Sequence, residues 1–230
     1  MTEDLNMFVL LMFVTALPAY ILGSVNGAII TSKAFFRKDI RDFGSGNPGL
    51  TNFYRTFGKG GVLLVILIDV IKTVAPVLFG GWLFAAYTDM YISEVWGVWP
   101  FNRFFNESFF GQSLAGFFVM LGHCFPLFYK FKGGKGVMAI GALVFVIDWR
   151  LALISWGVFI IITLLTRYVS LGAMLGCTAF PVSMLILNVG GLAELNIIIL
   201  CVLLVIIRHF PNIKRLAKGE ESKLILRRKS

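Results

Sequence analysis

Charge is scarce in this sequence. Asp, Glu, Lys and Arg make up 14 % of its 230 residues. A soluble domain carries about one-quarter charged residues, so an ordinary water-exposed globular fold is excluded. Acidic residues are the rarer kind, 12 against 21 Lys and Arg, which leaves a net charge of +9. Metal ligands are scarce too. His123 and His209 are the two histidines, they lie far apart, and few carboxylates flank them, so a catalytic metal is not expected. Cys124, Cys177 and Cys201 show no CxxC spacing and lie in or beside apolar runs, so they read as buried, inert thiols. No G-x-S-x-G elbow surrounds Ser45, which argues against a Ser–His–Asp hydrolase. No basic stretch precedes the first apolar run; Glu3 and Asp4 stand there instead, and the run is expected to be a retained helix. No internal repeat stands out.

Apolar sequence is what the chain has in quantity: 58 % hydrophobic residues, with a mean hydropathy of +0.85. The apolar runs cover 7–30, 61–86, 109–129, 137–147, 151–166, 168–190 and 195–207. Crossing the hydrocarbon takes about 20 helical residues. Runs 137–147 and 151–166 fall short and are separated by Asp148-Trp149-Arg150; they read as two short helices or a hairpin that enters without crossing. The chain is thus expected to be an all-α membrane protein of one domain, residues 1–230.

Basic residues cluster in alternate loops. Lys33, Arg37, Lys38, Arg41, Arg55 and Lys59 lie in the first, and Lys130, Lys132 and Lys135 in the third. Arg167 and the tail from Arg208 to Lys229 add more, whereas Arg103 and Arg150 lie on the other side. The positive-inside rule makes the basic side cytoplasmic and places the N-terminus outside and the C-terminus in the cytoplasm. Tyr87, Tyr91, Trp96 and Trp99 then fall in an external loop at 87–108, where they suit an interfacial belt.

Three polar motifs fall on the basic side. The first is Gly44-Ser45-Gly46-Asn47-Pro48-Gly49-Leu50-Thr51-Asn52, followed by Arg55. Its glycines let backbone N–H groups approach an anion, and Arg55 supplies a cationic fork. The second joins Gly122-His123 to Lys132-Gly133-Gly134-Lys135-Gly136 before a helix, an arrangement that offers free N–H groups and a positive dipole end. It is no nucleotide P-loop, since Tyr129 replaces the first glycine and Gly136 the magnesium-binding hydroxyl residue. A plain headgroup-anchoring turn is its other reading. The third runs from Arg208-His209 through Pro211-Asn212 to Arg215, with Gly219 and Glu221 beyond. His209 and Asn212 share a face if a helical turn persists past Pro211; the other reading is a basic tail on acidic lipid. Asp69 and Lys72, spaced i, i+3 inside a span, are either a packing ion pair or support for the first loop. Ser170 either caps a helix or touches a ligand.

Together these motifs resemble the bacterial membrane acyltransferases of the PlsY type, which use acyl phosphate to acylate glycerol 3-phosphate. The resemblance rests on the 44–52 loop with Arg55, on Asp69 and Lys72, and on Gly122-His123 with 131–137. It extends to Ser170-Leu171 and to Arg208-His209, Asn212-Ile213 and Arg215-Leu216, and so covers nearly the whole chain. It implies a compact bundle of about seven transmembrane helices, some short, in the bacterial cytoplasmic membrane, with the active site facing the cytoplasm. It also implies transfer of a fatty acyl group to the sn-1 hydroxyl, giving lysophosphatidic acid and phosphate in phospholipid synthesis. Ser45, Arg55, Lys135, His209 and Asn212 are then the expected catalytic residues. Gly44, Gly46, Asn47, Gly49, Thr51, Asn52, His123, Lys132, Gly133, Gly134, Gly136 and Ser170 are the expected binding residues, supported by Asp69, Lys72 and Glu221. No cofactor, metal or nucleic acid is implied; the expected partners are the two phosphorylated substrates and membrane lipid, and the expected state is a monomer. The proton acceptor is either His209 or the substrate's own phosphate. Phe128 stands five residues after His123, so the His-x4-Asp acyltransferases are a different class. Met138-Ala139, Ala173 and Thr73 depart from common family residues.

Two other classes compete. A small anion transporter shares the basic glycine loops and the intramembrane charges, but the motifs gather at one face and not at the midplane. A noncatalytic lipid anchor leaves the detailed loop sequences unexplained.

Overall fold

The computed structural model describes residues 2–95 and 107–224, with side chains described from Leu5 to Tyr87 and from Glu107 to Leu224. Tyr91, Trp96, Trp99, Arg103, Arg227, Arg228 and Lys229 lie outside those side chains. In chain order the helices are α1 (Thr2–Gly23), α2 (Gly27–Phe36), α3 (Leu50–Phe57), α4 (Val62–Val95) and α5 (Glu107–Cys124). Then come α6 (Val137–Ile147), α7 (Trp149–Thr166), α8 (Val169–Leu187), α9 (Leu192–Arg208) and α10 (Phe210–Ala217). Among the described residues there is no strand.

Two boundaries differ from the apolar runs. The run at 7–30 is broken after Gly23, because Asn26 caps a new helix: its Oδ1 accepts from the Ile29 N–H at 2.9 Å. The run at 61–86 continues as helix to Val95, since neither glycine nor proline interrupts 82–95.

Five segments are long and apolar enough to cross a membrane: Leu5–Phe36, Val62–Tyr87, Glu107–Tyr129, Trp149–Thr166 and Val169–Leu187. α9 and α10 meet at a 55° bend and make a sixth if counted as one broken span. With 11 residues, α6 is about 16 Å long and cannot cross a core of about 30 Å alone. It is a buried half-length helix, with Ala139, Ile140, Leu143 and Val144 all in the interior. Asp148 ends α6 and caps α7, accepting from the Arg150 N–H at 2.7 Å.

α5 lies at the centre, against α1, α4, α6 and α9. Lipid tails are as apolar as leucine, so helices associate through close packing and not through hydrophobic expulsion. Glycines make the contacts tight: a Cβ on Gly111 would stand 2.1 Å from the Gly80 carbonyl of α4. The core joins Ala19, Val77, Ala115, Val119, Met120, Leu143, Ile198 and Val205. Trp82, Leu165, Ile186 and Ile207 point outward, as a lipid-facing surface requires.

Candidate active site

The first loop is held by two asparagine side chains. Asn26 Nδ2 donates to the Pro48 carbonyl at 3.1 Å. Asn52 Oδ1 accepts from the Ser45 N–H at 3.0 Å while its Nδ2 donates to the Phe43 carbonyl at 3.0 Å. The amide of Asn52 is therefore committed to shaping the loop. Gly44 sits at φ +58°, and a Cβ there would lie 2.3 Å from Asn52 Oδ1. The chain then enters α3 at Gly49, whose missing side chain leaves the first N–H groups of the helix uncapped. Ser45 and Arg55 are exposed on either side of that helix start.

The second motif is folded onto the end of α5. The Gly134 N–H donates to the His123 carbonyl at 3.0 Å. Arg208 clamps the turn from α9: Nε donates to the Gly134 carbonyl at 3.0 Å and Nη2 to the Gly133 carbonyl at 2.9 Å. Gly136 caps α6 at φ +81°, so the positive end of this buried helix opens beside Lys135. Burial lowers the Lys135 pKa to about 8, against the pull of Glu221 and with help from Arg215, Arg208 and Arg55.

The third motif is helical after all. Pro211 sits in the first turn of α10, where a missing N–H costs nothing. The Asn212 N–H donates to the His209 carbonyl at 2.8 Å. Asn212 is the hub of a network: its Oδ1 accepts from Lys135 Nζ, and its Nδ2 donates to Glu221 Oε1 at 2.6 Å. Ser170 Oγ donates to the same Glu221 oxygen at 2.7 Å, and Arg215 Nε to Oε2 at 2.7 Å. Burial opposes ionisation of Glu221, but these three hydrogen bonds outweigh it and hold the carboxyl below its usual range. The chain after Gly219 folds back over the site. The Leu224 N–H donates to the Arg167 carbonyl at 2.7 Å, and Arg55 Nη2 to the Ser222 carbonyl at 3.3 Å.

The three motifs meet around one cavity of about 800 Å³. Gly44, Ser45, Asn47, Gly49, Thr51, Asn52 and Arg55 line it from the first motif, with Asp69 of α4 beside them. His123, Lys135 and Gly136 line it from the second, and Ser170, His209, Asn212 and Glu221 from the far side. Its depth is apolar, walled by Ile140, Val144, Trp156, Phe159 and Phe180. A second cavity of about 840 Å³ adjoins it and shares Ser45, Asn47, Lys135, Asn212 and Arg215. Gly46, Lys132 and Gly133 lie there, with Arg41, Lys130 and Arg208. Gly134 and Lys72 line neither cavity; both stand against His123. Among the described residues no cluster of three metal-ligating side chains occurs.

Sequence reasoning missed several contributors. Asn26 carries a helix-start signal, a cap residue before Gly27, that was legible. Arg208 and Arg215 stand in the third motif and in the family resemblance, but the sequence assigns neither a role of its own. The apolar wall of Trp156, Phe159 and Phe180 left no polar signal and is assembled only by packing of α6, α7 and α8.

A cationic, glycine-lined mouth above an apolar chamber suits a reaction between a polar and a fatty partner, and two solved structures have the same fold. The chain superposes on PlsY (YgiH), an integral membrane glycerol 3-phosphate acyltransferase, in its glycerol 3-phosphate form with a TM-score of 0.75. The two are 29 % identical, over 93 % of this chain and 96 % of that one. The lysophosphatidic acid form of PlsY gives a TM-score of 0.74 at 28 % identity, over 92 % of this chain and 94 % of that one. The fold is thus that of an integral membrane acyltransferase. Residues 13–219 match the family model described as glycerol-3-phosphate acyltransferase. A glycerol-3-phosphate acyltransferase of Staphylococcus carnosus is 35 % identical over 206 residues, 90 % of this chain and 94 % of that one. One of Staphylococcus aureus (strain Newman) is 33 % identical over 215 residues, 94 % of this chain and 98 % of that one. The chain belongs to the glycerol-3-phosphate acyltransferase family.

Proposed function

We propose that this enzyme moves a fatty acyl group from acyl phosphate to the sn-1 hydroxyl of glycerol 3-phosphate. The products are lysophosphatidic acid and inorganic phosphate, in bacterial phospholipid synthesis. The observation that carries this reading is the junction of the two cavities at Ser45, Asn47, Lys135, Asn212 and Arg215. One side is apolar and suits an acyl chain; the other is basic and open, and suits a small soluble phosphate ester. The solved relative in glycerol 3-phosphate and lysophosphatidic acid forms supports glycerol 3-phosphate as a substrate and lysophosphatidic acid as the product.

The acyl chain lies against Trp156, Phe159 and Phe180, with its phosphate at the mouth. N–H groups at the start of α3 and α6, with Arg55 and Lys135, neutralise the phosphates and the tetrahedral oxyanion. The sn-1 oxygen attacks the acyl carbon, and phosphate departs with the electrons of the acyl–oxygen bond. The hydroxyl proton passes to the substrate's own phosphate while His209 orients the hydroxyl. Acyl phosphate is already activated, so positioning and charge neutralisation supply most of the rate.

The reading includes one domain acting as a monomer in the cytoplasmic membrane. In this reading the chain has seven membrane segments, α6 and α7 counted separately, with the N-terminus outside and the C-terminus and site on the cytoplasmic side. The basic loops support this sidedness, and Arg150, at the turn between α6 and α7, is paired with Asp148 at 2.7 Å.

Purified protein in lipid, given palmitoyl phosphate and glycerol 3-phosphate, is expected to release phosphate and form monoacyl product. Uptake of phosphate into vesicles without acyl transfer would favour a transporter.

A further inference from the structure

The cavity is faced by both of the chain's histidines, and their ring partners are of opposite kinds. Lys72 Nζ is buried within hydrogen-bond reach of three groups: the Val25 carbonyl at 2.6 Å, Asp69 Oδ1 at 2.8 Å and His123 Nδ1 at 2.8 Å. An ammonium has three N–H donors and no acceptor. Pairing it with Asp69 makes all three contacts donations, so His123 Nδ1 is the bare nitrogen and its ring proton sits on Nε2. That edge lies over the glycine turn, where a Cβ on Gly134 would approach Nε2 to 2.2 Å. His209 is the reverse. Its Nδ1 lies 2.8 Å from the Val205 carbonyl, which only accepts, so Nδ1 carries the proton and Nε2 is bare. Both rings line the cavity, and neither Nε2 has a hydrogen-bond partner among the described residues.

We propose that the two histidines are locked as opposite neutral tautomers, so that His123 offers the bound substrate an N–H donor and His209 a bare nitrogen. Asp69 and Lys72 are then positioning residues. The Asp69 carboxylate, itself accepting from the Gly27 N–H at 3.2 Å, pairs with the Lys72 ammonium at 2.8 Å, and Lys72 fixes the His123 tautomer. The charged groups facing the His123 ring are Lys72 and Asp69 from α4 and Arg208 from α9, so a doubly protonated ring would meet two cations. The donor's target is an oxygen of a phosphorylated substrate, and this part rests on the proposed acyl transfer.

With two histidines in the chain, nitrogen-15 histidine labelling of the full protein in lipid reports four ring nitrogens, assigned with His209→Gln. The expected spectrum has His123 protonated at Nε2 and His209 at Nδ1, unchanged through neutral pH. The same tautomer in both rings, or a doubly protonated His123, overturns the proposal. Lys72→Met is expected to give His123 a tautomer mixture; an unchanged ring rules out the positioning role, and if this variant does not fold the unmodified protein still decides the tautomers. Glycerol 3-phosphate or a non-hydrolysable acyl phosphonate is expected to shift the His123 Nε2–H signal. No shift with either overturns the contact, while acyl transfer stands or falls in its own assay. His123→Leu is expected to lower kcat/KM by roughly 10- to 100-fold, the worth of one hydrogen bond to a charged group. His123→Gln, which keeps a donor, is expected to recover part; a Gln variant no better than Leu counts against the donor.

Discussion

At the scale of single residues, the proposed site pairs an exposed cation, Arg55, with a half-buried one, Lys135. Arg55 is exposed and, among the described residues, meets the tail at the Ser222 carbonyl, so its charge is available to a phosphate. Arg55→Ala is expected to lower kcat by about 100- to 1000-fold, the loss typical of one oxyanion-stabilising donor, while the protein still inserts. Ser45→Ala is expected to abolish most turnover as well; near-normal rates in both variants would sink the assignment. Lys135 gives a pH test. Its pKa is lowered to about 8, so in the free enzyme the ammonium is present below that pH and lost above it. kcat/KM is therefore expected to fall as pH rises through about 8, and Lys135→Arg, which stays charged, is expected to remove that alkaline limb. A limb unchanged in Lys135→Arg belongs to another group. These residues were legible in the sequence because glycine, asparagine and paired charges are out of place beside membrane spans. Their partners were not: the Asn212 link to Lys135 joins residues 77 positions apart, and no local pattern encodes it.

At the scale of elements, the unusual piece is α6. Its 11 residues bring a helix N-terminus into the bundle at Gly136, beside Lys135. The sequence showed a run too short to span, and packing turned it into the inner wall of the apolar chamber. Trp156 of α7 closes that wall, donating from Nε1 to the Gly141 carbonyl at 3.1 Å. A Cβ on Gly141 would stand 2.8 Å from the Trp156 ring. Trp156→Ala is expected to lengthen the chamber and shift preference toward longer acyl phosphates, read by competing chain lengths in one reaction. An unchanged preference would place the chain elsewhere, in lipid or in another groove. The α9–α10 bend has a local cause. The His209 N–H donates to carbonyls of the preceding turn, and Pro211 starts a new helix without requiring one from its own nitrogen. From sequence, proline left it open whether His209 and Asn212 share a turn; its place in the first turn of α10 is what allows it.

At the scale of the whole molecule, the basic loops and the site are expected on one side of the membrane. The native cysteines, Cys124, Cys177 and Cys201, are buried, so an added cysteine can report sidedness. Lys38→Cys and Lys223→Cys are expected to react with a membrane-impermeant maleimide only after the cytoplasmic side is opened. Labelling from outside in intact cells would reverse the orientation. What the sequence determined by itself was the class of solvent, since 58 % hydrophobic residues cannot be covered by water, and the chemistry of the three motifs. Those are properties of composition and of short windows of chain. Only the tertiary structure decided that the motifs share one cavity, that an apolar chamber opens beneath it, and which partner the Nδ1 of each histidine meets. Such relations come from helices separated in sequence by tens of residues and brought together by packing, where each side chain's role is set by the partner it meets.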